Sequence, residues 1–151
     1  MHFDHIGVVV PNLAQGREML VLALGIDRWT KSFYDDGLGV EVQFGRSDQG
    51  PVYELVAPIG DNSPVKRALR DGINIVNHVA YLVADIDFEA KRLKANGVTP
   101  IGVPKNAIAY GGARIQFFVT RLRMLIELIE APTHEHRFEF TPGDVYSIQP
   151  K

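Results

Sequence analysis

The stretch HIGVVV, from His5 to Val10, has a counterpart in HVAYLV, from His78 to Val83, 73 positions further along the chain. Both stretches open with a histidine, continue as a β-rich apolar run and lead into a helical pattern. Two glutamates in similar runs, Glu54 in YELVAP and Glu127 in IELIEAP, also lie 73 positions apart. Two independent pairs with one offset indicate a duplicated module.

Each copy shows the pattern of one strand, one helix and three further strands. In the first copy the helix begins after Asn12, and in the second after Asp85, because both residue types are favoured N-caps. The helices are expected to end at Gly25 and at Asn96-Gly97. Strand patterns lie near residues 3–10, 27–34, 39–45, 51–57, 76–83, 98–103, 113–119 and 124–130. The sequence therefore predicts an α+β protein with two βαβββ modules.

The chain has 151 residues, which suits one domain that buries its own core. We predict a domain over residues 1–132, made of modules 3–58 and 76–131. The linker 62–72 is predicted to form a short helix, with Pro64 at its first position and Gly72 just past its end. Residues 133–151 lack periodicity and are predicted to be a C-terminal tail, with a strand at 137–140.

Composition excludes several classes of protein. The 16 Lys and Arg against 18 Asp and Glu leave no basic excess for binding nucleic acid. The absence of Cys excludes disulfides, thiolate metal sites and cysteine nucleophiles. The apolar runs are far shorter than the ~20 residues that span a bilayer, and the first residues do not resemble a secretory signal. We expect a soluble cytoplasmic protein without a membrane partner.

His5, Glu54, His78 and Glu127 lie inside apolar strand patterns. A single His or Glu in a strand more often faces solvent, but the shared offset would place all four symmetrically about one centre. Burying a carboxylate without a partner costs several kcal/mol, so inward glutamates need a cation or a donor. Two imidazoles and two carboxylates suit a divalent ion such as Zn²⁺, Ni²⁺, Co²⁺ or Mn²⁺. We therefore predict one metal site with these four ligands.

Other polar residues receive simpler interpretations. Asp35 and Asp36 precede Gly37 and indicate a turn. Lys66, Arg67 and Arg70 are expected on a solvated helix face, with contact to an anionic substrate tail as the alternative. Histidines without a partner at the 73-residue offset are expected to be solvated, namely His2, His134 and His136. No GxGxxG, P-loop, HExxH or GxSxG motif occurs, so no organic cofactor is predicted.

Residues 3–131 resemble the vicinal oxygen chelate superfamily, which includes glyoxalase I, methylmalonyl-CoA epimerase, extradiol dioxygenases and bleomycin- and fosfomycin-resistance proteins. The segments DHIG, YEL, NHVA and IELIE match the places of its four metal ligands. The resemblance implies paired βαβββ modules that form a curled mixed sheet around a metal. We expect the modules to pair with pseudo-twofold symmetry, within one chain or across a dimer, and the protein to be a homodimer.

Within the superfamily the chain looks most similar to methylmalonyl-CoA epimerase. The linker APIGDNSPV, the segment DID after the second histidine strand and the segment GGAR fit that branch. The chain departs from it at Asn77, where epimerases show a second histidine, at Gly37-Leu38-Gly39 in place of a Glu-Gln-Gly turn, and at residues 119–121, where Val-Thr-Arg replaces His-Pro-Lys.

The resemblance implies a metal-dependent epimerase, isomerase or lyase that chelates a carbonyl and stabilises an enolate. Glu127 would be both ligand and catalytic base, with Asp36 as a second candidate for the base. The substrate would be a small molecule such as an acyl-CoA thioester. A glyoxalase I-like isomerisation, and a resistance-type protein that binds a drug or metabolite, are the alternatives.

Overall fold

The strands and helices follow the βαβββ order twice. The computed structural model describes residues 1–48, 50–72 and 75–139, and within them it has nine strands and three helices in a curled open sheet. The first module consists of β1 (His2–Val9), α1 (Leu13–Leu24), β2 (Arg28–Trp29), β3 (Phe33–Asp35), β4 (Val40–Arg46) and β5 (Tyr53–Pro58). After α2 (Lys66–Asp71), the second consists of β6 (Val76–Leu82), α3 (Ile86–Ala95), β7 (Thr99–Ala107), β8 (Ala113–Val119) and β9 (Leu125–Ile129).

Residues that lie 73 positions apart in the sequence occupy equivalent places in the sheet. The strand order is β2-β4-β5-β1-β6-β9-β8-β7, and β3 pairs with β4. The parallel pair β1–β5 aligns Gly7 with Glu54, and the parallel pair β6–β9 aligns Ala80 with Glu127. The antiparallel pair β1–β6 at the centre sets Ile6 opposite its own equivalent, Val79. A pseudo-twofold axis therefore passes between β1 and β6, and the two modules pair within one chain.

The helix boundaries predicted from capping residues are confirmed. The Asn12 side chain accepts a hydrogen bond from the Gln15 N–H at 2.9 Å, and the Asp85 side chain accepts one from the Phe88 N–H at 2.8 Å. Gly25 ends α1 in the left-handed region, at φ 65°. Each helix contributes to an apolar cluster of its own module, through Leu13 and Leu20 of α1 and through Ile86 and Leu93 of α3.

Most predicted strands agree with the structure to within two residues, but three predicted elements differ by more or are divided. The strand near 27–34 is split into β2 and β3, because the Thr30 hydroxyl binds the Phe44 N–H and the Lys31 carbonyl. The linker helix is shorter than 62–72, since Ser63 and Pro64 form a turn that precedes it. β7 is longer than predicted, because an irregularity after Ile101 lets the strand pair with β8 again from Lys105 onward.

The described part of the C-terminal tail, residues 133–139, packs back onto the first module. The prediction that His136 is solvated is wrong, because only 7% of its side chain is exposed and it contacts Asp4. His134 is half-buried, whereas His2 is exposed as expected. The predicted strand at 137–140 is reduced, within the described residues, to a single bridge between Glu139 and Trp29, and Phe140 lies outside them. No helix in the described ranges is long and apolar enough to cross a membrane.

Candidate metal centre

The four residues predicted as ligands meet at the pseudo-twofold axis. His5 on β1 and His78 on β6 flank the axis, and Glu54 on β5 and Glu127 on β9 lie on the next strand outward on each side. All four side chains are buried, and their candidate ligand atoms lie within 4.8 Å of one another. The fold therefore brings the two repeated His/Glu pairs together as a cluster of two imidazoles and two carboxylates.

The ligand atoms face one another closely. Nε2 of His5 lies 3.0 Å from Nε2 of His78. Glu54 Oε2 lies 3.2 Å from the His5 nitrogen and 3.3 Å from the His78 nitrogen. Glu127 Oε2 lies 3.4 and 3.3 Å from the same two atoms. Four electron-rich atoms so close together require protons or a cation between them.

The far nitrogen of each imidazole is held by the residue before it in sequence. Asp4 Oδ2 lies 2.8 Å from Nδ1 of His5, and Asn77 Oδ1 lies 3.0 Å from Nδ1 of His78. Because a carboxylate or amide oxygen can only accept, each imidazole donates its Nδ1–H outward and turns the Nε2 lone pair inward. This is the arrangement in which histidine binds metal ions in proteins.

The charges of the site also suit a divalent cation. Burial lowers the pKa of His5, but the Glu54 carboxylate and the hydrogen bond to Asp4 outweigh burial and hold that pKa well above its usual range. Burial raises the pKa of Glu54, but the two histidines reverse this and lower it to about 2. The protein alone thus stabilises positive charge on the imidazoles, and a metal ion would supply the same charge. The donor set fits such an ion.

A cavity of about 460 Å³ reaches the cluster, and Glu54, His78 and Glu127 are among its lining residues. His5 is fully buried and does not line the described part of the cavity. The walls are mostly apolar and include Val42, Val56, Ala107, Ile115 and Phe117. A small molecule could therefore reach the cluster along a mostly apolar wall.

The two aspartates of the β3–β4 turn have different surroundings. Asp36 is exposed, whereas the buried Asp35 lines the cavity. Both Asp35 oxygens accept backbone hydrogen bonds, from Leu38 N at 3.0 Å and from Ile108 N at 2.9 Å. The turn prediction is confirmed, and Asp35 is a structural residue that ties β3 to the second module.

Sequence reasoning missed two residues around His5. Tyr110 donates a hydrogen bond to Asp4 at 2.6 Å and also lines the cavity, and His136 Nε2 lies 3.0 Å from the same Asp4 oxygen. Neither has a partner at the 73-residue offset, so the repeat gave no signal for them. The buried Asp4 beside a predicted ligand was the signal that could have indicated further donors.

The cations predicted on the linker helix are paired with acids, and Arg67 and Arg70 are exposed whereas Lys66 is half-buried. Lys66 Nζ lies 2.6 Å from Asp61, and Arg67 and Arg70 both contact Asp71. Among the cavity-lining residues of the described ranges, Lys105 is the one lysine or arginine. An anionic group in the cavity would therefore meet Lys105.

The fold is shared with solved epimerases. Methylmalonyl-CoA epimerase from Mycobacterium tuberculosis is similar at 24% identity, with a TM-score of 0.70 over 85% of this chain and 86% of that one. Streptomyces coelicolor methylmalonyl-CoA epimerase, in complex with 2-nitronate-propionyl-CoA, is 23% identical, with a TM-score of 0.71 over 91% and 99% of the two chains. A hypothetical protein from Bacillus halodurans C-125 has 23% identity and a TM-score of 0.74, over 89% and 97%. No curated protein matches the sequence.

The sequence itself identifies the family. Residues 4–119, which carry three of the four clustered side chains and most of both modules, match the glyoxalase/bleomycin resistance protein/dioxygenase superfamily. The paired βαβββ modules around a buried His/Glu cluster agree with that match. The chain belongs to the glyoxalase/bleomycin resistance protein/dioxygenase superfamily.

Proposed function

We propose that the protein is a divalent-metal-dependent enzyme that moves a proton on the carbon next to a carbonyl group, with epimerisation of a 2-methyl-branched acyl-CoA thioester as its reaction. The observation that carries the proposal is the convergence of His5, Glu54, His78 and Glu127 in one cluster, three of whose side chains line a cavity. These four side chains would hold the metal ion. When bound, the ion acts as a Lewis acid that polarises the substrate carbonyl and stabilises the enolate.

Glu127 is the proposed catalytic base. Glu127 lines the cavity, and the resemblance to the superfamily implies that the glutamate of the last strand is both ligand and base. The carboxylate removes the proton from the substrate carbon, so that a C–H bond breaks and an O–H bond forms on Glu127. Delivery of a proton from solvent water to the opposite face of that carbon gives the epimer, and Glu127 releases its own proton to solvent. The exposed Asp36 is the less favourable candidate, because its neighbour Asp35 occupies the cavity wall instead.

The cavity wall supports a substrate with an acyl group and a negative charge. Apolar side chains such as Val56 and Phe117 would contact a short methyl-branched acyl chain, and Lys105 would bind a carboxylate on it. The solved epimerase complexes with methylmalonyl-CoA and with 2-nitronate-propionyl-CoA involve ligands of this kind. A homodimer stays a prediction, which the mass of the protein in solution would check.

Metal analysis and isotope exchange test the proposal. Wild type should retain about one divalent ion per chain after dialysis, and His78→Ala should lose it; equal metal contents would contradict the ligand set. With methylmalonyl-CoA in D₂O, the wild type should incorporate deuterium at C2. Glu127→Gln should lower that rate by about 10²–10⁴-fold, the usual contribution of a general base. Asp36→Asn is the matched comparison, and loss in that variant alone would move the base to Asp36.

Two outcomes would favour the alternatives. Turnover of the glutathione hemithioacetal, without deuterium incorporation into methylmalonyl-CoA, would indicate a glyoxalase I-like isomerase. Metal binding without turnover of either substrate would favour the binding-protein function of the resistance-type members. The metal measurement and the exchange measurement therefore separate the site from the reaction.

A further inference from the structure

We propose that His136, in the segment after β9, is a positioning residue of the metal centre, which holds Asp4 in place and through Asp4 fixes the imidazole of His5. The inference rests on the proposed function, because it gives His136 a part in holding the metal ion. The C-terminal segment 133–139 would then belong to the site, although it lies outside the duplicated modules.

The residues that hold Nδ1 of the two histidines differ in charge between the two halves of the centre. Asp4 and Asn77 lie 73 positions apart, and each holds Nδ1 of the histidine that follows it. Asn77 is neutral, whereas Asp4 is a carboxylate of which only 5% of the side chain is exposed. A buried carboxylate needs several donors, and one imidazole N–H does not satisfy it.

The additional donors of Asp4 come from outside the repeat. The Tyr110 hydroxyl donates to Asp4 Oδ2 at 2.6 Å, and His136 Nε2–H donates to the same oxygen at 3.0 Å. His5 is the third contact, at 2.8 Å. With three donors around one oxygen, Asp4 has a fixed position, and its partner imidazole has a fixed rotation and tautomer.

The segment that carries His136 is itself held at several points. The His136 ring packs on Phe44 with centroids 4.1 Å apart, and His134 packs on Tyr110 with centroids 4.6 Å apart. Further along, the Arg46 guanidinium lies 4.6 Å from the centre of the Phe138 ring, and the Glu139 N–H donates to the Trp29 carbonyl at 2.8 Å. These contacts fix the segment on both sides of His136 and so hold its Nε2–H next to Asp4.

His136 would act through Asp4 and not on the substrate. It is not among the cavity-lining residues in the described part of the chain, whereas Tyr110 is. Loss of the His136 donor should therefore change metal affinity and the orientation of His5. It should not remove any contact to a bound substrate. The two variants His136→Phe and His136→Gln separate hydrogen bonding from packing, because Phe keeps a ring against Phe44 and Gln keeps an N–H donor of similar reach.

The test measures the dissociation constant for Co²⁺ against a competing chelator, and the rate at which the His5 Nδ1–H exchanges with solvent, by ¹⁵N-edited NMR of the metal-free protein. We expect His136→Phe to weaken metal binding about 10–100-fold, the usual effect of losing a residue behind a ligand, and to speed the exchange of that proton. His136→Gln should restore most of both. Glu135→Gln, an exposed neighbour, is the control and should bind metal like the wild type.

Wild-type affinity together with a wild-type exchange rate of the His5 Nδ1–H in His136→Phe would overturn the proposal. Equal losses in His136→Phe and His136→Gln would also overturn it, since a purely structural role predicts no rescue by a donor. If His136→Phe fails to fold, His136→Asn replaces it, because its amide is too short to reach Asp4. A wild type that binds no metal would refute the proposed function alone, and the exchange rate of the His5 Nδ1–H would still decide the role of His136.

Discussion

The imidazole of His78 lies against the backbone of Gly7, the residue opposite it on β1. A methyl group at position 7 would overlap the Cε1, Nδ1 and Nε2 atoms of that ring. Gly7 also pairs with Glu54 on its other side. Because Gly7 has no side chain, the His78 imidazole fits against the backbone of β1. Gly7 also lies next to Glu54, a second proposed ligand.

Gly7→Ala is expected to displace His78 from the centre. Overpacking of this kind costs about 1–3 kcal/mol of stability, and the shifted ligand should weaken metal affinity by at least about tenfold. Calorimetric metal titration and thermal unfolding measure the two effects. Gly37→Ala is the matched control, because a Cβ there would meet Asp35 Oδ1 at an ordinary 3.4 Å. An unchanged affinity in Gly7→Ala would show that the ring does not need its present position.

Metal removal should lower the stability of the folded protein. A ligand that binds only the folded state at 100 times its dissociation constant stabilises by about 2.7 kcal/mol. Thermal melts with and without a chelator should therefore differ, and adding Co²⁺ or Zn²⁺ should reverse the change. His78→Ala lacks one ligand and should show no such difference. A chelator effect of the same size in His78→Ala would place the metal elsewhere.

The metal-free and metal-bound forms should respond to pH in opposite directions. In the metal-free protein the pKa values of His5 and His78 are raised. Their contribution to stability is fully present below the unfolded pKa of about 6.5 and is lost as pH rises through the folded pKa. A metal ion competes with those protons, so its affinity should increase over the same pH range.

Melting temperatures measured across that pH range, with a chelator and with excess metal, check whether the two forms respond to pH in opposite directions. His2→Ala removes an exposed histidine and is expected to preserve both slopes. A metal-free protein that becomes more stable as pH rises above about 6.5 would contradict the expected sign.

Asp35→Ala is expected to lower the free energy of unfolding by about 2–4 kcal/mol, because two backbone N–H groups lose their charged acceptor. One of them, Ile108, belongs to the second module, so the loss loosens contact between the two halves. Denaturant unfolding measures the change. Asp36→Ala, at the exposed neighbouring position, should stay within about 0.5 kcal/mol of wild type. Similar losses in both variants would mean that the turn matters and the two hydrogen bonds do not.

Lys105→Met is expected to raise the KM for a carboxylate-bearing acyl thioester more than the KM for a neutral acyl thioester of the same length. The physical reason is the loss of the one lysine or arginine among the described lining residues. Lys91→Met, an exposed lysine on α3, is the control. Equal effects on both substrates would exclude a charge contact.

The repeat made the fold and the ligand cluster predictable, because His5, Glu54, His78 and Glu127 follow one offset that the strand register keeps. Residues that break the repeat were not predictable in the same way. Tyr110 and His136 reach Asp4 from about 106 and 132 positions away, and no periodic pattern records such contacts. For the same reason, the sequence pattern predicts solvated histidines in the tail. Asp35 and Asp36 are adjacent and chemically identical, yet Asp35 is buried and Asp36 is exposed. The path of β3 determines which of the two faces inward, and the sequence does not show that path.

Neither module contains a complete set of ligands, since each supplies one histidine and one glutamate. The connection between β5 and β6 makes the encounter of the halves intramolecular, at an effective concentration on the order of millimolar for a short linker. Assembly of the centre is therefore insensitive to dilution. A chain cut between Gly60 and Ser63 would leave every contact at the axis available, but occupancy of the centre would then depend on how much of each half is present.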